Sequence, residues 1–413
     1  VTIPAHRATT ANLGATYPFV AEAPLASGGP YIGRDLFGGS FCFDPFDLYA
    51  SGVLTNPNML VVGQIGRGKS AFVKTFLWRH SLFGRRAFVV DPKGEYGALA
   101  QAWGCEPLSL RPGGRLRLNP LEGTSRIDRD DPDASKRRRA TLLYSLAEAC
   151  LNRPLLPAER AAVDVALGTA SARSHDRPLL TQVVEALMSP EPSGAREVGS
   201  DVAGLTADGR DVALELRRLV TGDLKGMFDG PTTRGLRVDG RLVVLDLSAV
   251  YGSAALGVIM ACATAWMQGA VTANAAGRQI LVVDEAWAIL SHLATARWLQ
   301  ASWKLSRALG VANLAVLHRL SDLSATGATG SEQVHLAEGL LADSETRVVY
   351  AQAPGEAEAC RRSLGLTGVE ADLLPRLRRG VALWKVGRRS FVVEHRLSAL
   401  EAELVNTDAR MMG

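Results

Sequence analysis

The stretch "VVGQIGRGKSAFVKTF", residues 61 to 76, decides the fold. From Gly63 to Ser70 it matches G-x-x-x-x-G-K-[ST], after an apolar run that reads as a strand and before apolar residues at helical spacing. Glycines in such a loop let successive backbone N–H groups turn inward. The following helix adds the positive end of its dipole, so the loop cradles phosphate oxygens. Gly63, Gln64, Ile65, Gly66, Arg67, Gly68, Lys69, Ser70 and Ala71 are therefore the expected ATP-binding segment. Lys69 brings charge to the β and γ phosphates, and Ser70 offers an oxygen to Mg²⁺. The competing reading is a glycine turn beside a surface lysine, and the strand and helix on either side weigh against it.

A phosphate loop needs a second metal partner from a neighbouring strand, and "QILVVDEAWAIL" (279 to 290) supplies one. Its apolar run ends in Asp284, placed to serve Mg²⁺, and in Glu285, placed to polarise a water for in-line attack on the γ-phosphate. "VVDPKGEYG" (89 to 97) is a second acidic cluster at a strand end, with Asp91 and Glu95 around a tight turn. In a parallel sheet it shares the carboxyl edge with the phosphate loop, so Glu95 either approaches the nucleotide or only shapes the turn.

Short β-rich runs recur at 58–63, 86–91, 241–247, 279–285, 312–318 and 346–352. Several are unbroken apolar blocks, the mark of strands buried on both faces, which points to a mostly parallel α/β sheet covered by helices. Between residues 124 and 235 helical periodicity replaces the strand signal. The expected organisation is thus a sheet domain begun by 1–123 and completed by 236–413, with a helical subdomain (124–235) inserted. Inside the insertion "SPEPSGAREVGSD" (189 to 201) reads as a mobile loop. "GVALWKVGRRSFVVEHRL" reads as two strands about a turn at Gly387, followed by a short helix.

Composition narrows the function classes. The 413 residues carry a formal charge of +4, with 47% hydrophobic and 21% charged side chains, so the chain is globular and any basic surface is local. Five scattered cysteines, without metal-ligand spacing, read as reduced core thiols. The amino-terminal stretch shows no pattern of a basic region followed by an apolar one. The apolar stretch from Ser253 is rich in Ala and Gly and interrupted by Gln268, which favours a helix buried against the sheet over a bilayer span.

Taken in order, "GQIGRGKS", "VVDPKGEYG", "RLNPLEG", "GMFDGPT", "VVLDLS" and "VVDEAWAIL" resemble the motor domain of the VirB-four (TraC-like) ATPases of type IV secretion and conjugation, in the HerA and FtsK class of P-loop motors. The resemblance runs from about residue 27 to about residue 405. It implies a RecA-like fold with an inserted helical subdomain, ATP hydrolysis with Mg²⁺, and a homo-oligomer, commonly a hexamer. It also implies peripheral contact with the cytoplasmic membrane face beside other secretion components. Carried over by motif position, Gly63 to Ser70 bind phosphates and metal, Asp284 serves the metal and Glu285 activates water. Arg307 matches the region where the family places an arginine that reaches a neighbour's nucleotide. His318 stands where the family has a γ-phosphate-sensing Gln, a departure that makes the side chain's charge depend on pH. The family's membrane-docking amino-terminal half has no counterpart in these residues. Two other functions compete. One is a HerA- or FtsK-like DNA translocase, for which "SKRRRA" (135 to 140) and "PRLRRG" (375 to 380) are candidate basic tracks; the other is a slow nucleotide-gated scaffold.

Overall fold

The computed structural model describes residues 28–122, 132–273, 277–306, 309–320 and 343–405, with single positions 25, 339 and 341. Its strands are β1 (Tyr31–Asp35), β2 (Ser40–Cys42), β3 (Met59–Val62), β4 (Arg86–Asp91), β5 (Leu108–Ser109), β6 (Leu242–Asp246), β7 (Gln279–Val283), β8 (Val311–Leu317), β9 (Thr346–Tyr350), β10 (Val381–Val386) and β11 (Arg389–His395). All six apolar runs read from the sequence are strands, and the hairpin about Gly387 is β10–β11. Among the described residues they form one sheet in the order β2-β1-β11-β10-β9-β3-β8-β7-β4-β6-β5. The run from β9 to β5 is parallel throughout, and the four strands beyond β9 are antiparallel.

The central strands β3, β7 and β8 are buried along their whole length. Alternate residues enter two separate cores: Leu60, Val62, Phe88 and Val90 point to one face, and Met59, Val61, Ala87 and Val89 to the other. On the second face lie α1 (Pro45–Ala50), α2 (Lys69–Leu82) and α3 (Gly97–Ala102), the last two burying Phe72, Phe76, Leu99 and Ala100. The opposite face carries α4 (Pro132–Leu151), α5 (Pro157–Arg173), α6 (Leu180–Met188), α7 (Pro192–Glu197), α8 (Val202–Val220), α9 (Leu256–Ala273), α10 (Trp287–Leu290) and α11 (Leu293–Ser306). The chain closes with α12 (Ala357–Ser363), α13 (Gly368–Leu373) and α14 (Ala399–Val405), the last packed on α2 and α3.

The five helices α4 to α8 fall between β5 and β6, and their apolar residues share one core with the sheet face, α4 packing on α11. The stretch 189–201, expected as a mobile loop, instead contains α7. Ala195 is buried there, and Gly194 lies so close to Val165 that a methyl group would sit 2.4 Å from Val165 Cγ1. Its Pro at the first helical turn starts a helix as readily as it marks a loop. The stretch from Ser253 forms α9, whose Ile259, Met260, Cys262 and Met267 are fully buried. No helix among the described residues is long and apolar enough to cross a membrane. Of the cysteines, which are free thiols, only Cys262 and Cys360 are core; Cys42, Cys105 and Cys150 are partly exposed, contrary to expectation.

A candidate nucleotide site at the carboxyl edge of the sheet

The phosphate loop leaves β3 between its two neighbours. Gly63 N donates to Leu317 O of β8 at 3.3 Å, and Gln64 N donates to Ala351 O, just after β9, at 3.1 Å. Gly66 and Gly68 adopt φ of 76° and 110°, a left-handed backbone that side chains resist, and Gly68 caps α2 so that Lys69 and Ser70 open the helix. Lys69 is 4% exposed, and its Nζ donates to the carbonyls of Gly63 and, at 2.9 Å, Gln64. Burial lowers its pKa to about 8, against the opposing pull of Asp284 and Glu285. A buried ammonium aimed across a glycine loop at a helix N-terminus is suited to phosphate.

Sheet order places the acidic groups. β8 and β7 separate β3 from β4, so the edge runs from the phosphate loop past His318 and the Asp284–Glu285 pair to the Asp91–Tyr96 turn. Asp284 is buried; its Oδ2 accepts from Tyr96 Oη at 3.2 Å and its Oδ1 from Glu285 N at 2.9 Å. Burial, then the charges of Glu285, Asp91 and Glu95, pushes its pKa up to about 7. A divalent cation would relieve that excess of negative charge. No cluster of three or more metal-ligating side chains occurs among the described residues. Mg²⁺ bound beside phosphates keeps several waters and takes one or two carboxylates, so Asp284, with the Ser70 hydroxyl, could hold it.

Glu285 has φ of 52°, unusual for a residue with a side chain. Its Oε1 meets Lys93 Nζ at 2.6 Å and His318 Nε2 at 2.6 Å, and its Oε2 accepts from Trp287 Nε1 at 2.5 Å. Burial would raise its pKa, but the hydrogen bonds from His318, Lys93 and Trp287 hold it down at about 2. Lys93 Nζ also lies 3.1 Å from His318 Nε2. These groups line a cleft of about 880 Å³ together with Gln64, Ile65, Gly66 and Arg67 of the phosphate loop.

A model of the AAA-like domain family matches residues 50–108, which carry β3, the phosphate loop, α2 and β4. The structure superposes on VirB4 of Thermoanaerobacter pseudethanolicus with a TM-score of 0.72 at 20% identity, covering 92% of this chain and 100% of that one. The fold is that of VirB4. The plasmid coupling protein TrwB in complex with ADP and Mg²⁺ is similar over 83% of this chain and 86% of its own, with a TM-score of 0.55 at 15% identity. TrwB with the non-hydrolysable GTP analogue GDPNP gives the same coverage and TM-score at 17% identity. No curated protein sequence matches this chain. The resemblance expected from the motifs is borne out in the fold, a large, mostly parallel P-loop sheet flanked by helices.

Within this VirB4-type fold, Lys69, Ser70, Asp284, Glu285 and His318 share one sheet edge, and His318 bonds to Glu285. Arg307 lies outside the described residues. Glu95 acts on the site by charge, pulling on Lys69, Lys74 and Asp284. Three residues escaped the sequence reading. Lys93 sits inside "DPKGEYG", between Asp91 and Glu95, and a single lysine in a turn has no spacing that marks it as a site residue. Tyr96, in the same motif, donates to Asp284. Lys74 follows Ser70 by one helical turn and is 1% exposed; its Nζ has no hydrogen-bond partner among the described residues and lies 5.5 Å from the Tyr96 ring centre. The basic tracks also divide. Arg139 is buried, donating to Leu121 O at 2.9 Å and to Asp176 Oδ1 at 2.6 Å, and Arg379 lines the nucleotide cleft.

Proposed function

We propose that this chain is an Mg²⁺-dependent ATPase, the motor of a type IV secretion or conjugation system that drives transfer of DNA or protein, or pilus assembly. The observation that carries the reading is the meeting of phosphate-loop residues Gln64 to Arg67 with Glu285 on one cleft, β8 lying between their strands β3 and β7, while buried Lys69 feels the charges of Asp284 and Glu285. Similarity to VirB4 over 92% of the chain, and to TrwB with ADP and Mg²⁺ bound, supports it. Lys69 and the loop amides hold the phosphates, Ser70 and Asp284 hold Mg²⁺, and Glu285 orients water with His318 fixing its side chain. When bound, Mg²⁺ neutralises charge that develops on the phosphate oxygens. The reading extends to an inserted helical subdomain at 124–235, a homo-oligomer, commonly a hexamer, contact with other secretion components, and a peripheral position at the cytoplasmic membrane face.

Steady-state ATPase assays test it. Lys69→Ala should lose both nucleotide binding and hydrolysis, whereas Glu285→Gln should bind ATP and hydrolyse it slower by roughly 10² to 10⁴. Wild-type turnover no faster than that of Lys69→Ala overturns the ATPase reading and leaves a nucleotide-gated scaffold. Stimulation by DNA that fades with salt identifies the translocase instead.

A further inference from the structure

The lone pairs of Glu285 are largely committed within the protein. Oε1 receives two donors, Lys93 at 2.6 Å and His318 at 2.6 Å, and Oε2 receives Trp287. A carboxylate held this way has little capacity left to take a hydrogen bond from an attacking water. The three donors differ in what else they can do. Trp287 opens α10, and His318 directly follows the last residue of β8. Lys93 is a long chain, 26% exposed, whose ammonium faces the same cleft as Gln64 to Arg67 and lies 5.7 Å from the Tyr251 ring centre.

The backbone beneath Lys93 is fixed. Asp91 accepts from Lys93 N at 3.2 Å through Oδ1 and from Tyr96 N at 3.0 Å through Oδ2, and Gly94 takes φ of 69°. Only the side chain can swing. A γ-phosphate carries more charge than one carboxylate and presents three terminal oxygens, so it competes for this ammonium; a diphosphate lacks that group.

We propose that Lys93 moves its ammonium from Glu285 to the γ-phosphate when ATP binds, acting as a γ-phosphate ligand whose departure opens Glu285 Oε1 to water. The inference rests on the cleft being the ATP site proposed above. It makes Lys93 a catalytic residue supplied within the same chain, and it gives the site a way to tell ATP from ADP. His318 stays on Glu285 and keeps the carboxylate oriented while Lys93 leaves.

Equilibrium binding of Mg²⁺-ATPγS and Mg²⁺-ADP, by calorimetry on the full chain, tests this without turnover. Lys93→Met should weaken ATPγS binding by roughly 10- to 100-fold, the worth of a hydrogen bond to a charged group, and leave ADP binding unchanged. Glu285→Gln removes the charge that competes for Lys93, so it should raise ATPγS affinity relative to ADP. The double variant should lose that gain. Equal loss of both nucleotides in Lys93→Met, or loss of neither, overturns the role of Lys93. If Lys93→Met melts well below wild type, Glu285→Gln decides, and an unchanged ATPγS-to-ADP ratio overturns the proposal. Failure of wild type to bind ADP would instead overturn the nucleotide site itself.

Discussion

Gly63 and Gly68 are required for different reasons, and the difference predicts separable defects. At Gly63 a methyl group would stand 2.4 Å from Tyr350 Cβ, so Ala there must push the start of the loop away from β9, to which Gln64 N is bound through Ala351 O. At Gly68 the obstacle is conformational, φ of 110°, with Gly380 Cα 3.4 Å from the added carbon. Gly63→Ala should lower stability by about 1–3 kcal/mol in urea unfolding as well as weaken nucleotide binding. Gly68→Ala should weaken binding through backbone strain at the helix start, read by the same calorimetry. His318 gives a third residue-level expectation. Its Nε2 approach to Glu285 at 2.6 Å fixes the carboxylate, so His318→Ala should lower kcat on the order of 10²-fold with little change in ATP affinity. His318→Gln, whose amide N–H can make the same bond, should retain most of the turnover. A fall in thermal stability with normal kcat per folded molecule would make His318 a strand-end residue.

At the scale of elements, Arg79 ties the phosphate-loop helix to distant parts of the chain. From α2 its Nε and Nη2 donate to the two Glu401 oxygens of α14 at 2.6 and 2.7 Å, and its Nη1 donates to the carbonyls of Tyr31 and Ile32 in β1 at 2.7 and 3.0 Å. Burial alone would raise the Glu401 pKa, but the Arg79 hydrogen bonds leave it below the ordinary 4.5. A carboxyl group with a depressed folded pKa adds stability that is fully present above its unfolded pKa and is lost as pH falls through the folded value. Glu401→Gln should therefore lose about 2 kcal/mol near neutral pH. That deficit relative to wild type should shrink as pH drops below about 4.5. Urea unfolding of both chains across that range checks the sign; a deficit that grows in acid would contradict it. The same docking explains why a helix of seven residues, α14, persists: packing on α2 and α3 supplies what its own length does not.

For the whole molecule, the proposed ring sets the remaining expectation. An arginine reaching a neighbour's nucleotide adds roughly 10³ to 10⁵ in rate in related hydrolases, and Arg307 is the residue the family resemblance offers for that place. Turnover per chain should then rise with protein concentration, and Arg307→Ala should bind ATP normally while hydrolysing it poorly. Mixing Arg307→Ala with Glu285→Gln should restore activity, because some interfaces combine an intact Glu285 with an intact Arg307. Turnover independent of concentration, with a normal Arg307→Ala, would sink the ring model. Lys93 and Arg307 are distinguishable in that scheme: Lys93 belongs to the chain that holds the nucleotide, so Lys93→Met mixed with Arg307→Ala should recover activity as Glu285→Gln does, whereas Lys93→Met mixed with Glu285→Gln should not.

Short-range patterns were legible in the sequence because their causes are short-range. Apolar runs such as 58–63 and 279–285 became β3 and β7 because a strand buried on both faces needs apolar residues on both. The phosphate loop was legible because its glycines and lysine must stand at fixed spacing. The helix within 189–201 was misread because Pro, Gly and Ser also open helices, and the β1 strand passed unnoticed because "YIGRD" alternates too little to mark an edge. Tertiary structure decided which loops meet. β4 follows β3 in the chain, yet β8 and β7 lie between them, because the helical connections carry the chain across the sheet before it returns to fill the gap. That order alone sets His318 and Glu285 between the phosphate loop and Lys93. No spacing along the chain encodes a 2.6 Å contact between residues 93 and 285; it follows from the register of parallel strands that shared cores hold in place.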